Sequence, residues 1–342
     1  MVGGRRGVRP GIGGPHPLAD PLAQACRLDG FVLLCADSQA VSTVIRARRD
    51  RTHSRETLMP GSNSTKTVLI TGTSTGIGLA AAVAAAEAGW HTVATMRNTG
   101  RAEPLLEAAR KAGVADLVQV KRLDVTDADS VADCVAEVVA EHGRLDAVVN
   151  DAGAGFAGTI EQNGMKAVRD SMEVNYFGVV ELTRAAMPHL RASRGRLVTV
   201  TSVGGVVGQP FNEAYCAAKF AVEGFMESLA PVAATVGVQV SLVEPGAVAS
   251  EFVASQGDVI AGLLADSGPY AQTLQAYIAH ASDSFSAAQT PQEAAAPLVA
   301  LLDADQMPFR VQTSDWARGF VDAKLSDLDG SAVQSMTGAW LN

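Results

Sequence analysis

The sequence predicts an α/β chain: one doubly wound parallel sheet with helices on both faces. Three observations carry this expectation. Short apolar runs rich in β-branched residues recur from residue 67 onward, most of them followed by a segment long enough for a helix, and glycines or capping residues stand at several of the joints. Parallel strands joined by helices are buried on both faces, so they read as continuous apolar runs rather than as alternation.

The elements follow in order. Residues 67–71 (Thr-Val-Leu-Ile-Thr) form the first expected strand. After a glycine-rich loop, the alanine-rich stretch 79–88 is a strong helix former closed by Gly89. Strand, helix and strand are expected at 91–96, 102–112 and 117–125. Asp127 caps a helix running to about His142, where Gly143 ends it. A fourth strand lies at 145–150, a long helix at 165–190, a fifth strand at 196–201, a second long helix at 213–236 and a sixth strand at 238–243. A further strand is expected near Pro308–Val311. Residues 66–342 are expected to form a single domain.

Composition narrows the function classes. Hydrophobic residues make up 47% of the 342 residues and charged residues 18%, a globular balance. A formal net charge of −9 offers no basic field to a nucleic-acid backbone. Cys26, Cys35, Cys134 and Cys216 lie far apart without a CxxC pair, and no histidine opens an HExxH pattern. No metal site is expected, and reduced thiols suit a cytoplasmic protein. The apolar run 31–35 falls far short of the roughly 20 residues a membrane helix needs, so no transmembrane segment is expected.

Residues 1–58 differ from the rest, with nine arginines, no lysine and five acidic residues. They are read as a disordered or non-native extension with Met59 as the natural start. A targeting peptide and a regulatory tail remain the alternatives.

The loop Thr71-Gly72-Thr73-Ser74-Thr75-Gly76-Ile77-Gly78 joins the first strand to the first helix. Glycine removes the Cβ atoms that would keep backbone from a pyrophosphate, and the helix start offers free N–H groups and a positive dipole end. In its T-G-x3-G-I-G spacing this segment resembles the short-chain dehydrogenase/reductase family, whose domain is a Rossmann fold. At the end of the second strand, Ala94-Thr95-Met96-Arg97-Asn98 holds no acid that would take ribose hydroxyls and repel a 2′-phosphate. Arg97 can form charge-assisted hydrogen bonds to that phosphate, or be an ordinary surface arginine; NADP(H) is expected over NAD(H).

The resemblance extends along residues 66–255. It implies that Asp124, followed by Val125, meets the adenine ring, although Asp124 can also belong to a turn. Asn150-Asp151-Ala152-Gly153 resembles the family's N-N-A-G but places an acid where the family has its second asparagine. An ionised carboxylate supplies no donor, which puts that asparagine's role in doubt here.

Ser202 ends the fifth strand, and Tyr215 and Lys219 open the next helix at i and i+4, on one face. Reducing a carbonyl needs a proton at oxygen as hydride reaches carbon, and a nearby ammonium is expected to lower the phenol's pKa. Ser202 can donate to the substrate oxygen. The resemblance implies that Lys219 also holds the nicotinamide ribose and that Asn175 completes a proton relay. It further implies that Pro245, Gly246, Val248 and Ser250 bind the nicotinamide carboxamide, Ser250 standing for the usual threonine.

Residues 249–290, with apolar side chains at Val259, Ile260, Leu263 and Leu264, are expected either to form a lid over a lipophilic substrate or to pack on the domain. The motifs also resemble the branch of 17β-hydroxysteroid and retinol dehydrogenases. The activity expected is interconversion of a small lipophilic alcohol and its carbonyl by a homodimer or homotetramer. An NADP(H)-binding sensor without turnover, and an epimerase or dehydratase of the extended branch, are the competing readings.

Overall fold

The computed structural model describes residues 65–250, 262–265, 267–286 and 288–341. Residues 1–58, with Cys26 and Cys35, and Val259 and Ile260 of the expected lid lie outside the described residues.

Seven parallel strands build the sheet. They are β1 (Thr67–Ile70), β2 (His91–Met96), β3 (Val118–Arg122), β4 (Ala147–Asn150), β5 (Arg196–Val200), β6 (Gln239–Glu244) and β7 (Arg310–Gln312), in spatial order β3-β2-β1-β4-β5-β6-β7. The order reverses between β1 and β4, which pair in register from Val68 with Ala147 to Ile70 with Val149. An open parallel sheet leaves a crevice at the carboxyl ends of its strands at such a switch point.

Alternation along β1 explains the two layers. Val68 and Ile70 point to one face, packing against α1 (Gly76–Glu87), α2 (Glu103–Lys111) and α8 (Pro291–Asp303), where Leu298, Leu301 and Leu302 are buried. Leu69 points to the other face, against α3 (Ala128–His142), α5 (Gly178–Ser193) and α6 (Glu213–Ala234). The small side chains of α1 let that helix lie close to the sheet, with Ala81, Ala82 and Ala85 fully buried. Asp127 accepts from the N–H groups of Asp129 and Ser130, and Gly143 closes α3 in the left-handed region, as the sequence predicts.

One element differs from expectation. The long helix predicted at 165–190 begins earlier, as α4 (Ile160–Met172) behind a Thr159–Gln162 capping box, and breaks at Gly164. It then passes through a π turn, Glu173–Phe177, before α5. The extra residue in that turn rotates Asn175 inward, where its amide bonds the backbone of Ala154. The chain ends in α7 (Ala271–Ser286), α8, β7, α9 (Asp315–Leu325) and α10 (Ser331–Gly338). Among the described residues no helix is long and apolar enough to cross a membrane.

Leu69 is fully buried at the centre of the sheet. Leu69→Ala is expected to lower unfolding stability by about 2–5 kcal/mol, read from the denaturant midpoint at unchanged slope. A loss under about 1 kcal/mol would show that this layer relaxes around the cavity.

Candidate active site

The loop after β1 is pinned on both sides. Thr73 donates to Thr95 O through its N–H (3.1 Å) and its hydroxyl (3.0 Å), tying the loop to β2. Thr71 Oγ1 accepts from the N–H groups of Asp151 and Ala152, each at 3.0 Å, tying it to the end of β4. Gly72 has φ +74, and a Cβ there would lie 2.9 Å from Ala152 N and Cα. Only glycine allows the two strand ends to come this close. Gly76 faces Ser250, its Cβ position 3.4 Å from Ser250 Cβ, so the glycine loop and the Pro-Gly segment share one wall. Ile77 packs into the core beneath the loop.

At the neighbouring strand ends, burial raises the Asp124 carboxyl, but the bonds from Thr126 and, to a lesser degree, the exposed Arg97 hold it below its ordinary range. Asp124 Oδ1 accepts from the Thr126 N–H and hydroxyl, so it does belong to a turn. Val125 packs against Gly178 at the start of α5. Asn150 Nδ2 donates to Thr199 Oγ1 (3.2 Å) and, more weakly, to Thr183 Oγ1 (3.5 Å), inside the sheet.

Asp151 contributes an acceptor where the family offers an amide. Its carboxylate takes the Gly78 N–H, and Oδ2 lies 2.5 Å from where a Cβ on Gly78 would stand. Burial pushes this carboxyl up to about 7, against the pull of Lys219.

The predicted chemistry-bearing residues converge beside this point. The Tyr215 hydroxyl is hydrogen bonded to Ser202. Ser202 Oγ accepts from the Gly204 N–H at 3.0 Å, in the turn that follows β5. Lys219, 5% exposed, donates to Val200 O at 3.0 Å and lies 5.9 Å from the Tyr215 ring centroid. A Cβ on Gly153 would stand 3.0 Å from Asn175 Oδ1 and 3.7 Å from Lys219 Nζ. Glycine at 153 thus leaves space between the lysine and the π turn.

One expectation needs correction. The phenol of Tyr215 is not lowered: burial pushes it up to about 12, with the Ser202 bond opposing. Lys219 Nζ lies 5.9 Å from the ring centroid, and burial brings the lysine down to about 8. Cost of burying a charge outweighs the benefit of neighbouring charge at both positions.

Beyond β6, Val203 N–H donates to Pro245 O (3.0 Å), Val248 pairs with Gln289, and Gly246 lies under the Trp316 ring. Described parts of the expected lid reach back to the domain. Gln162 Nε2 donates to Leu263 O (3.0 Å), Tyr270 donates to Glu161 (2.7 Å), and Tyr277 on α7 accepts from Asn212 (2.6 Å) while its ring meets Phe211. A run of stacked rings, Trp316, Phe320, Trp340 and His280, joins the Gly246 end to α7. The tail gave no legible motif in the sequence, and aromatic residues brought together from 280 to 340 have no local spacing to reveal them.

Sequence reasoning also missed a buried charge cluster behind Ser202. Thr201 donates to Glu223 Oε1 at 2.6 Å, and Arg310 on β7 lies 3.2 Å from Glu223, 3.2 Å from Glu244 and 2.7 Å from Glu227. Three carboxylates share one guanidinium, two of them almost wholly buried. Burial pushes Glu223 up to about 7 and raises Glu244 as well. Tyr215, Lys219, Glu223 and Glu227 recur at i+4, a stripe that could have been read.

With this geometry in place, comparison decides the family. A family model described as short chain dehydrogenase matches residues 66–259. The chain belongs to the short-chain dehydrogenase family. A second model, the NAD(P)H binding domain of trans-2-enoyl-CoA reductase, matches residues 25–102. This short-chain dehydrogenase is 36% identical over 277 residues to human retinol dehydrogenase 8, covering 78% of this chain and 87% of the relative. It is 38% identical over 274 residues to human 17-beta-hydroxysteroid dehydrogenase type 1, covering 77% and 82%. Among solved structures, a short-chain dehydrogenase from Streptomyces avermitilis superposes with a TM-score of 0.64 at 29% identity, covering 82% of this chain and 97% of that one. These relatives place it in the branch of retinol and 17β-hydroxysteroid dehydrogenases, oxidoreductases that use a nicotinamide cofactor.

The glycine cradle at the switch point fits such a dinucleotide: Gly72 and Gly76 bring no Cβ to the β1–α1 turn, and α1 begins there without a cap bond from the Thr75 side chain.

The Glu223 carboxyl rises from 4.5 to about 7 on folding, so the folded state holds the extra proton between those values. Stability therefore falls as pH rises through that window. Glu223→Gln keeps an acceptor for Thr201 and removes the titration. Its loss of unfolding free energy between pH 5 and 8 is expected to be smaller than the wild type's by about 2 kcal/mol. Parallel pH curves for the two proteins would show that Glu223 stays ionised.

Proposed function

We propose that this chain is an NADP(H)-dependent oxidoreductase that interconverts a lipophilic secondary alcohol and its ketone, or an alcohol and its aldehyde. Tyr215 is the general acid/base. The observation that carries the reading is the meeting of Tyr215 with Ser202, Lys219 and Asn175 at the carboxyl end of the sheet, next to the switch point.

When bound, the nicotinamide supplies or accepts the hydride. In the reductive direction Tyr215 gives its hydroxyl proton to the substrate oxygen, and an alcohol results. A phenol kept protonated by burial is the correct form for that step. Ser202, already bonded to the Tyr215 hydroxyl, donates toward the same oxygen as charge develops there. Lys219 as an ammonium offsets the phenolate left behind and holds the ribose. Asn175, fixed by Ala154, stands on the far side of the Gly153 gap, where it would hold a water through which a proton returns to Lys219.

Gly72, Ser74, Gly76, Ile77 and Gly78 would hold the pyrophosphate, Asp124 and Val125 the adenine side, and Asn150, Ala152 and Gly153 the floor of the crevice. Pro245, Gly246, Val248 and Ser250 would hold the nicotinamide carboxamide. Preference for the 2′-phosphate rests on exposed Arg97 and on the lack of an acid at 94–98. A lipophilic substrate is supported by the Phe211–Tyr277 contact under α7 and by Trp316 over Gly246. The names of the retinol and hydroxysteroid relatives agree with it. Phe177 and Phe220, 49% and 40% exposed at the long helices, support a homodimer or homotetramer.

Titration of NADPH and NADH, followed by nicotinamide absorbance with lipophilic ketones and aldehydes, tests the whole reading. Tight binding without turnover on any of them would favour a sensor. Tyr215→Phe is expected to lower kcat by about 10²-fold or more while NADPH affinity stays within a few-fold; near-normal kcat would remove Tyr215 from proton transfer. Arg97→Asp is expected to shift the NADPH/NADH affinity ratio toward NADH by about tenfold or more, roughly 1.4 kcal/mol. An unchanged ratio would dismiss Arg97 as the phosphate ligand.

A further inference from the structure

We propose that Glu223 is a positioning residue: bound by Thr201 on one oxygen and by Arg310 on the other, it fixes α6 against the end of β5 so that the Tyr215 hydroxyl stays on Ser202. What Tyr215 does there rests on the dehydrogenase reading; how it is held rests on the bonds alone.

Tyr215 and Ser202 stand on different elements, so something must set one against the other. The turn after Ser202, Val203–Gly205, lies against α6. A Cβ on Gly204 would stand 3.3 Å from Tyr215 Cε1 and 3.4 Å from Ser202 Oγ. One on Gly205 would stand 3.2 Å from Glu223 Cγ and 3.3 Å from Lys219 O. Glycine at both positions lets turn and helix come this close. Bare backbone offers no ridge to fill a groove of the helix, so the contact alone does not fix where along its axis α6 stops.

Glu223, about two turns beyond Tyr215, supplies the stop. Thr201, the residue before Ser202, is pinned in the sheet by its N–H, which donates to Val243 O at 2.8 Å. Its hydroxyl reaches across to the helix and donates to Glu223 Oε1 at 2.6 Å. Glu223 Oε2 lies 3.2 Å from Arg310 Nε, and the same guanidinium reaches Glu244 at 3.2 Å and Glu227 at 2.7 Å. Glu244 is held in turn by Gln312 Nε2 at 2.8 Å and leads into Pro245, whose carbonyl accepts from Val203 N–H at 3.0 Å. A closed circuit of polar contacts thus runs from the Ser202 turn through the end of β6, Arg310 and Glu223 back to Thr201. Arg310 with Glu227 and Glu244 would be enough to tie β7 to α6 and β6. Glu223 is a further buried acid, and an apolar side chain in such a place often holds a fold as well. What its carboxylate adds is direction: a hydroxyl on one oxygen and a guanidinium on the other leave it one place to sit.

The test reads the Tyr215 hydroxyl directly. The chain has four tyrosines, Tyr176, Tyr215, Tyr270 and Tyr277. The ¹³Cζ signals of the tyrosine-labelled full chain can therefore be followed one by one, with Tyr215 assigned from the signal lost in Tyr215→Phe. Ser202→Ala gives the displacement that follows loss of the bond. Thr201→Val keeps the shape and removes the hydroxyl. It is expected to move the Tyr215 signal in that same direction while the other three stay, and Thr201→Ser is expected to bring it back. On a ketone or aldehyde that the wild type turns over, kcat of Thr201→Val is expected to fall about tenfold or more, with KM and NADPH affinity within a few-fold. Should Thr201→Val not fold, Arg310→Lys keeps the charge, loses the fork that reaches three carboxylates together, and is expected to give the same displacement. An unmoved Tyr215 signal in a folded variant overturns the proposal, as does a displacement shared by all four tyrosines, which marks general loosening. A selective displacement in a protein that binds no NADPH upholds the positioning and overturns the dehydrogenase reading instead.

Discussion

The close approach of β1 and β4 at their carboxyl ends is the constraint on which the rest of the site depends. One hydroxyl, Thr71 Oγ1, accepts two backbone N–H groups from the opposite strand end, and Gly72 leaves no atom to keep them apart. That contact sets the floor of the crevice. It also sends the chain from Asp151 to Gly153 across the gap to Asn175 and Lys219, so that residues from β1, β4, the π turn and α6 meet within a few ångströms. A hydroxyl holding two donors is a directional device, and directional bonds place atoms more sharply than apolar packing does.

Burial then decides the electrostatics. Tyr215, Lys219, Asp151 and Glu223 all have their neutral forms favoured, the first by its phenol rising and the second by its amine falling. Titratable groups shifted together in one crevice mark it as the candidate site. The cluster around Arg310 serves a different end. It anchors β7 and the body of α6 to β6 through charge, at a part of the sheet where a three-residue edge strand buries little apolar surface.

Much of this was legible in the sequence because it is written in local spacing. The apolar runs of β1, β4 and β6, the Asp127 cap with Gly143, the glycine loop and the Tyr215–Lys219 pair each announce themselves within a few residues. The π turn was not legible, since Met172 to Gly178 continues a helical pattern and only the distant Ala154 backbone draws Asn175 inward. Nor was the direction of the Tyr215 shift, because spacing shows that Lys219 is near but not how deeply the phenol is buried. Asp151 stood out as a departure from a motif; its acceptor role required Gly78, 73 residues away.

The stacked rings from Trp316 to His280 divide the labour of the chain. The described hydrogen bonds of Ser202, Lys219 and Asn175 do not run through them, yet they border Gly246 on one side and α7 on the other. The border of that end of the sheet is thereby entrusted to residues contributed after the sheet is nearly complete. Substitutions among these rings can therefore change the contour beside Gly246 while the bonds that hold Ser202, Lys219 and Asn175 stay as they are.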